Sequence, residues 1–473
     1  MFTMREDHAH GSAMPSCAPA RHARAGQDEA RGSLANASDA FAAAPRLDLD
    51  PDPGSVPAPQ AGAARRQHAV QLARLGRVHE STQLCRAELA ASADGAQWLH
   101  ALIVEAMEAH DLTLAGSMAS ILAILQRGSS WYPDGARQGG AAPPTTLSLP
   151  KLQHDIDQFR HLRALGVLDA PFDQVIARYG EVRERLAAGG PEARLALSPE
   201  LDAQLGHTSG RIVHLADAPR LPLGLSADWD RARAERLYLE QRPGVVVIDD
   251  FLSAQALASL QRFCTESTVW FGNRYAHGRL GALFFSGFNC PLLLQLAEEI
   301  RDAFPALIGN RHPLRQLWGF KNTGELPADS TVHADFAAVN VNFWITPAEA
   351  NTDDDSGGML IYDVDAPASW DFATYNERID LIREYLARRQ AKVIRIPYRQ
   401  NRAIIFDSDL FHATEAVRFR PDYLSHRINI TMLYGERQFD QHHRPEQAAE
   451  PLMANGANSA SWRSAALTRR RPS

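Results

Sequence analysis

Residues 330–347, STVHADFAAVNVNFWITP, constrain this chain more than any other stretch of it. From Val339 through Asn340, Val341, Asn342 and Phe343, apolar and polar residues alternate with the two-residue period of a strand, not the 3.6-residue period of a helix. His333 and Asp335 stand one residue apart just upstream. Side chains two apart on extended backbone project from one face, so this imidazole and carboxylate can hold one metal ion together while a third ligand arrives from elsewhere. A second apolar strand, RAIIF, lies within NRAIIFDSDLFHATE (401–415) and leads to His412, the candidate third ligand. HRINITMLYG (426–435) then alternates again, with Arg427, Asn429 and Thr431 on one face and Ile428, Ile430 and Met432 on the other. An arginine facing a buried interior requires an anion, and its planar fork suits a carboxylate.

Two histidines and one carboxylate gathered on one side of a metal leave its opposite positions open, the set associated with non-haem Fe(II) oxygenases. With His-x-Asp, a distant His at a strand end and then Arg-x-Asn-x-Thr on a further strand, residues 242–440 resemble the 2-oxoglutarate and Fe(II)-dependent dioxygenases, in particular those similar to prolyl 4-hydroxylases. The resemblance implies a double-stranded β-helix, or jelly roll, in which His333, Asp335 and His412 bind iron and Arg427 pairs with the distal carboxylate of 2-oxoglutarate. It also implies O2 as co-substrate, decarboxylation to succinate, hydroxylation of an unactivated carbon, and ascorbate as a candidate reductant. Asp335 fills the position that halogenating relatives give to a small residue, so halogenation is not expected. The basic residue of prolyl-hydroxylase relatives is often a lysine nearer the distal histidine, which brings Arg418, Arg420 and His426 into competition; only Arg427 leads a cleanly alternating strand.

Asn340, Asn342 and Thr431 are candidates to hydrogen-bond the co-substrate, against the plainer reading that buried polar side chains satisfy neighbouring backbone. Trp318 and Lys321 in LWGFKNTG precede the first ligand strand, with nothing to fix which of them faces a pocket. Asp407 and Asp409, close to His412, read either as supports for a ligand or as turn caps. The acidic loop NTDDDSGG (351–358) lacks the ordered twelve-residue spacing of a calcium loop and reads as a solvated turn. Residues 369–391 are expected to form a largely exposed amphipathic helix, read as a surface elaboration with a substrate lid as the alternative.

At 473 residues the chain exceeds one hydrophobic core. The expected fold class is multidomain α+β: a disordered tail over 1–64, a helical region over 65–190, a connector over 191–241, the oxygenase domain with flanking helices over 242–440, and a second tail over 441–473. The helical region rests on two stretches at a spacing of 34, 72–82 and 106–116. Apolar residues in each recur at helical spacing through a turn into a second helix (Leu72, Leu75, Val78 and Leu84; Ala106, Ala109, Leu112 and Met118). They resemble tetratricopeptide repeats in period, although the usual Trp, Tyr and Pro positions are mostly missing; an irregular helical domain is the alternative. Further helices are expected over 151–168 and 175–188, a short strand over 211–215 (RIVHL), and a strand followed by a helix at VVVIDDFLS, with Ser253 as N-cap. His154 and His161 read as packing positions, and His8 and His10 as solvated tail residues, not as ligands.

A net charge of −7, evenly spread, offers no surface for nucleic acid or anionic lipid. Cys17, Cys85, Cys264 and Cys290 lie far apart with no C-x-x-C spacing, which disfavours a disulfide scaffold or a structural zinc site. The longest apolar runs, ALIV (101–104) and ILAIL (121–125), fall far short of the roughly 20 residues of a membrane span. The N-terminus lacks the apolar run of a secretory signal, and a cytoplasmic location is expected. The leading expectation is a hydroxylase acting on a peptide, protein or carrier-bound substrate presented by the helical region. The alternatives are a non-catalytic repeat scaffold with a relic jelly roll, and an oxygenase of a free small molecule. The oligomeric state is not legible in the sequence.

Overall fold

The computed structural model describes residues 58–92, 94–128, 146–275, 277–328 and 331–437. The expected tail before residue 58, with His8 and His10, and the one after 440 lie outside the described residues. Four helices come first: α1 (Ala58–Arg74), α2 (Val78–Ala91), α3 (Gly95–Glu108) and α4 (Leu112–Arg127). Helix α1 begins inside the segment read as tail, because Pro59 falls in the first turn, where its missing N–H has no intrahelical acceptor to lose. Gly76 (φ 72°) and His110 (φ 60°) hold equivalent left-handed places in the turns before α2 and α4. The sequence spacing of 34 is therefore a repeated helix–turn–helix.

Strand β1 (Thr146–Ser148) pairs with β2 (Arg194–Ala196) around the helices α5 (Leu149–Ala164) and α6 (Phe172–Ala187). Ser148 caps α5 by accepting from Lys151 N, with Pro150 in the first turn. Leu152, Ile156, Phe159 and Leu162 of α5 meet Phe172, Val175, Tyr179 and Val182 of α6 in a core of their own. Helices α7 (Pro199–Gln204) and α8 (Arg231–Glu240) follow. Over 211–215 the expected strand does not form. Val213 and His214 give their N–H groups to Thr268 Oγ1 at 2.7 and 3.0 Å, so a side chain takes the bonds that a neighbouring strand would have supplied.

The remaining elements are β3 (Val245–Ile248), α9 (Ala254–Glu266), β4 (Arg279–Leu283), α10 (Pro291–Ala303), β5 (Leu314–Asn322), β6 (Val339–Trp344), β7 (Met359–Asp365), α11 (Phe372–Glu377), α12 (Ile379–Arg388), β8 (Val393–Ile396), β9 (Ala403–Asp407), β10 (Leu410–Thr414) and β11 (Arg427–Tyr434). Ser253 caps α9, accepting from Ala256 N at 3.2 Å. A six-stranded sheet runs β3-β9-β6-β11-β5-β4 and a three-stranded sheet β10-β7-β8, with every pair antiparallel. His333 bridges to His412 at the free side of β10 and so extends the smaller sheet. From β5 the chain therefore visits the large sheet, the small one at His333, the large at β6, the small at β7 and β8, the large at β9, the small at β10 and the large at β11. That winding is a jelly roll.

Strand alternation gives the large sheet two different faces. Leu317, Val341, Phe343, Ile405, Ile428, Ile430 and Met432 join one apolar cluster with Leu260 and Phe263 of α9, Leu293 and Leu296 of α10, and Ile103, Met118 and Leu122 of α3 and α4. Each such side chain, fully buried, stabilises by roughly 1.5–3 kcal/mol, so the helix pairs are held to the sheet through a shared core. On the opposite face Trp344, Ile404 and Phe406 meet Met359, Ile361, Ile396 and Leu410, which closes the interior between the two sheets. The segment 369–391 breaks into two helices at Arg378, whose φ and ψ are −89° and 68°. Tyr375, Ile382 and Leu386 of this pair pack on Val332, Ala334, Phe411 and Ala413, behind the segments that carry His333 and His412.

Candidate active site

His333 and His412 are brought together by backbone. His333 N donates to His412 O at 3.0 Å and His412 N to His333 O at 2.8 Å, which sets the rings side by side with centroids 4.4 Å apart. Asp335 follows two residues later, anchored by its own N–H to Ser408 O at 3.1 Å. One ligand atom from each of the three side chains lies within 4.8 Å of the others. His333 Nε2 is 3.8 Å from Asp335 Oδ1, and His412 Nε2 is 3.5 Å from Oδ2. Three donors each about 2.0–2.2 Å from a common ion are separated by distances of this order.

The chemistry of the donors fits a metal as well. His333 Nδ1 lies 2.5 Å from Thr331 O and His412 Nδ1 3.0 Å from Leu410 O. A carbonyl only accepts, so both Nδ1 atoms carry the proton and both Nε2 lone pairs are free for a metal. Burial, together with the neighbouring imidazole, pushes His333 down to about 4, which keeps it neutral. Burial works against the charge of Asp335, but the facing imidazoles and Arg279 hold its carboxyl below the ordinary value. Asn340 Nδ2 donates to Asp335 Oδ2 at 2.6 Å and fixes the carboxylate plane.

A chain of side-chain amides leads away from that contact. Asn342 Nδ2 reaches Asn340 Oδ1 (3.4 Å), Asn429 Nδ2 reaches Asn342 Oδ1 (3.1 Å) and Thr431 Oγ1 (3.3 Å), and Arg427 Nη1 reaches Asn429 Oδ1 (3.3 Å). Arg427 is 1% exposed. Its Nε donates to Gly357 O at 2.6 Å and its Nη2 to Gly358 O at 3.4 Å, and among the described residues it forms no ion pair. These bonds leave one N–H on each terminal nitrogen for an anion. Burial lowers Arg427 to about 10, so it is still a cation at neutral pH. Beside it, 5.4 Å from the guanidinium carbon, lies the ring of Trp344, whose buried Nε1 has no partner among the described residues.

The other basic candidates of this stretch lie elsewhere. Arg418 is exposed and pairs with Asp353 at 2.7 Å, Arg420 is exposed, and His426 packs edge-on against Tyr423. Trp318 pairs with Thr431 and shares the inner face, whereas Lys321 pairs with Ile428 and faces the helices. Asp409 forms a buried ion pair with Arg437, and Asp407 accepts from Asp409 N at 3.0 Å; neither contacts a ligand histidine.

Two supports are not legible as motifs. Ala334, between His333 and Asp335, is held by Tyr375 O on its N–H and by Asn376 Nδ2 on its carbonyl, both at 3.0 Å. The acidic loop contributes its two glycines, whose carbonyls anchor Arg427. Gly357 has φ 78°, and a Cβ on Gly358 would stand 2.0 Å from Ile396 O, so neither place admits a side chain.

No protein-family profile matches the chain, and no curated protein matches it. Among solved structures it is similar to a prolyl hydroxylase from Trichoplax adhaerens, solved in complex with a peptide fragment of the hypoxia inducible factor oxygen degradation domain (16% identity, 44% of this chain and 92% of that one, TM-score 0.30). It is also similar to HygX from Streptomyces hygroscopicus with nickel and 2-oxoglutarate bound (13% identity, 43% and 87%, TM-score 0.30). A third likeness is to a Pseudomonas putida prolyl-4-hydroxylase (13% identity, 44% and 100%, TM-score 0.28).

Proposed function

We propose that this chain is an Fe(II)- and 2-oxoglutarate-dependent oxygenase that hydroxylates an unactivated carbon of a peptide, protein or carrier-bound substrate. One observation carries the reading: two imidazoles and a carboxylate converge in an interior where hydrogen-bonded amides link them to an arginine that no carboxylate among the described residues pairs with. His333, Asp335 and His412 would hold the iron, and the two free N–H groups of Arg427 would take the distal carboxylate of 2-oxoglutarate, with Trp344 Nε1 as a further donor nearby. Bound iron with its 2-oxo acid supplies oxidation of a C–H bond coupled to decarboxylation to succinate. The chain's own share is to keep His333 neutral by burial, fix the tautomers of both imidazoles on backbone carbonyls and aim Asp335 through Asn340. It also seats the arginine rigidly on Gly357 and Gly358. A cavity of 670 Å³ lies between β4, α5 and α6 at the edge of the large sheet; His333, Asp335, His412 and Arg427 are not in its lining.

The test is anaerobic titration of the full chain with Fe(II) and then 2-oxoglutarate. A visible charge-transfer band is expected on adding the 2-oxo acid, absent in His333→Ala and requiring far more co-substrate in Arg427→Ala. Folded, iron-loaded wild-type protein that gives no band overturns the reading.

A further inference from the structure

Arg279 opens β4, the edge strand of the large sheet. It pairs with Asn322 of β5, and Asn322 pairs on its other side with Arg427 of β11. Residues directly opposite one another project from the same face, so Arg279, Asn322 and Arg427 form one row along the interior. Asn322 is 3% exposed, and its amide nitrogen has no hydrogen-bond partner among the described residues. Among those residues Arg279, too, forms neither an ion pair nor a side-chain hydrogen bond. Its guanidinium sits over the Phe320 ring at 3.8 Å, with Tyr275 next to it at 5.5 Å. Gly281 permits this shelf, since a Cβ there would lie 3.3 Å from both rings.

Arg279 also lines the 670 Å³ cavity, with Tyr275, Gly278 and Thr323 of the sheet edge and Pro150 and Gln153 of α5. Through the row with Asn322 and Arg427 it shares the inner face of the large sheet, the face on which Asn340 holds Asp335. An arginine that cannot shed its proton, beside an amide donor with nothing to donate to, is a site prepared for an anion. The same cavity carries Asp157, Glu184, Glu192 and Glu325 against Arg183, Arg194 and Arg279, so its field does not favour a dianion. One planar fork and one amide match a single carboxylate.

We infer that Arg279, with Asn322, binds a carboxylate of the primary substrate, so that the substrate is an acid presented to the metal centre from the β4 side. The inference rests on the oxygenase reading above.

The experiment uses full-length protein and [1-13C]acetate as the probe. Saturation transfer from protein to acetate reports binding, and relaxation of the carboxylate carbon by Mn(II) substituted at the centre reports proximity. With 2-oxoglutarate saturating, acetate is expected to remain bound and relaxed. Arg279→Gln should weaken acetate about tenfold or more while leaving 2-oxoglutarate affinity within about twofold, and Arg279→Lys should restore part of the binding. Acetate binding unchanged in Arg279→Gln, acetate expelled by 2-oxoglutarate, or inorganic phosphate displacing acetate far more tightly than acetate itself binds would each overturn the inference. If wild-type protein binds no Mn(II) at all, the metal reading fails first and the substrate assignment falls with it; normal Mn(II) binding with no Arg279-dependent acetate signal overturns the anion site alone.

Discussion

Two buried cations on neighbouring strands of the large sheet, Lys321 on one face and Arg427 on the other, are handled in opposite ways. On the helix-facing side Lys321 is fully buried, with Nζ 3.1 Å from His154 Nε2, 3.2 Å from Cys264 O and 3.4 Å from Tyr423 OH, and with the rings of Trp270 and Tyr423 at 4.4 and 4.8 Å. Burial pushes it down to about 7, so the lysine can escape its environment by losing a proton. On the interior side Arg427 has no such escape, since burial lowers it only to about 10. The lysine is satisfied by what already surrounds it. The arginine has no ion-pair partner among the described residues, and Trp344 beside it carries an unpartnered donor. A buried cation that can neutralise itself belongs to packing; one that cannot marks a place for a ligand.

The sharpest way to break that contrast is to remove metal donors from each face. His412→Ala is expected to weaken Mn(II) or Fe(II) binding by about a hundredfold or more, read by equilibrium titration, whereas His154→Ala, on the opposite face, should leave metal affinity unchanged. Metal binding that tracks His154 would invert the assignment of the faces. Next in size, Arg427→Met should cost 2-oxoglutarate about 2–5 kcal/mol of binding, the range for truncating one partner of a buried charge pair. The same substitution removes an uncompensated buried charge, so the melting temperature of the metal-free protein should rise. A fall in that temperature would show that Arg427 is chiefly a structural brace for the Gly357–Gly358 turn. Smaller again, Asn340→Ala should weaken metal binding by about 10–100-fold by freeing the Asp335 carboxylate, with little change in melting temperature if the amide orients and does not support the strand.

How much of this was legible follows from period and phase. The alternation in 339–345 and 427–432 specifies strands with one polar and one apolar face, and His333, Asp335, His412 and Arg427 do meet in one interior. Phase is harder: LWGFKNTG contains both Trp318 and Lys321, and only pairing with β11 shows that Trp318 lies opposite Thr431 and Lys321 opposite Ile428. The supports were hidden for a related reason. Gly357 and Gly358 sit in a loop whose three aspartates read as solvated, although two consecutive glycines after an acidic turn were the available signal for backbone that must approach something closely. Asn376 reaches Ala334 across 42 positions of sequence, and no local pattern encodes such a contact. Arg279 likewise belongs to no motif; its meaning comes from standing in one row with Asn322 and Arg427.

The other side of the contrast is tested at Lys321. In the unfolded chain Lys321 titrates near its ordinary value of 10.5, and in the folded chain near 7, so between those values the unfolded state holds one proton more. Stability must therefore rise with pH across that window, by up to roughly 1.4 kcal/mol per pH unit from this group, and the cost of charging the buried amine is fully present below pH 7. Lys321→Met keeps the length of the side chain and deletes the proton. Its stabilising effect relative to wild type, measured by urea unfolding of metal-free protein, should be largest at pH 6–7 and shrink steadily toward pH 10, with 2-oxoglutarate affinity unaltered. If instead the variant differs from wild type by the same amount at every pH, Lys321 keeps its charge in the fold, held by Asp155 and the faces of Trp270 and Tyr423. The two buried cations would then not be opposites, and the lack of a neutralising partner would no longer single out Arg427 as the ligand-binding one.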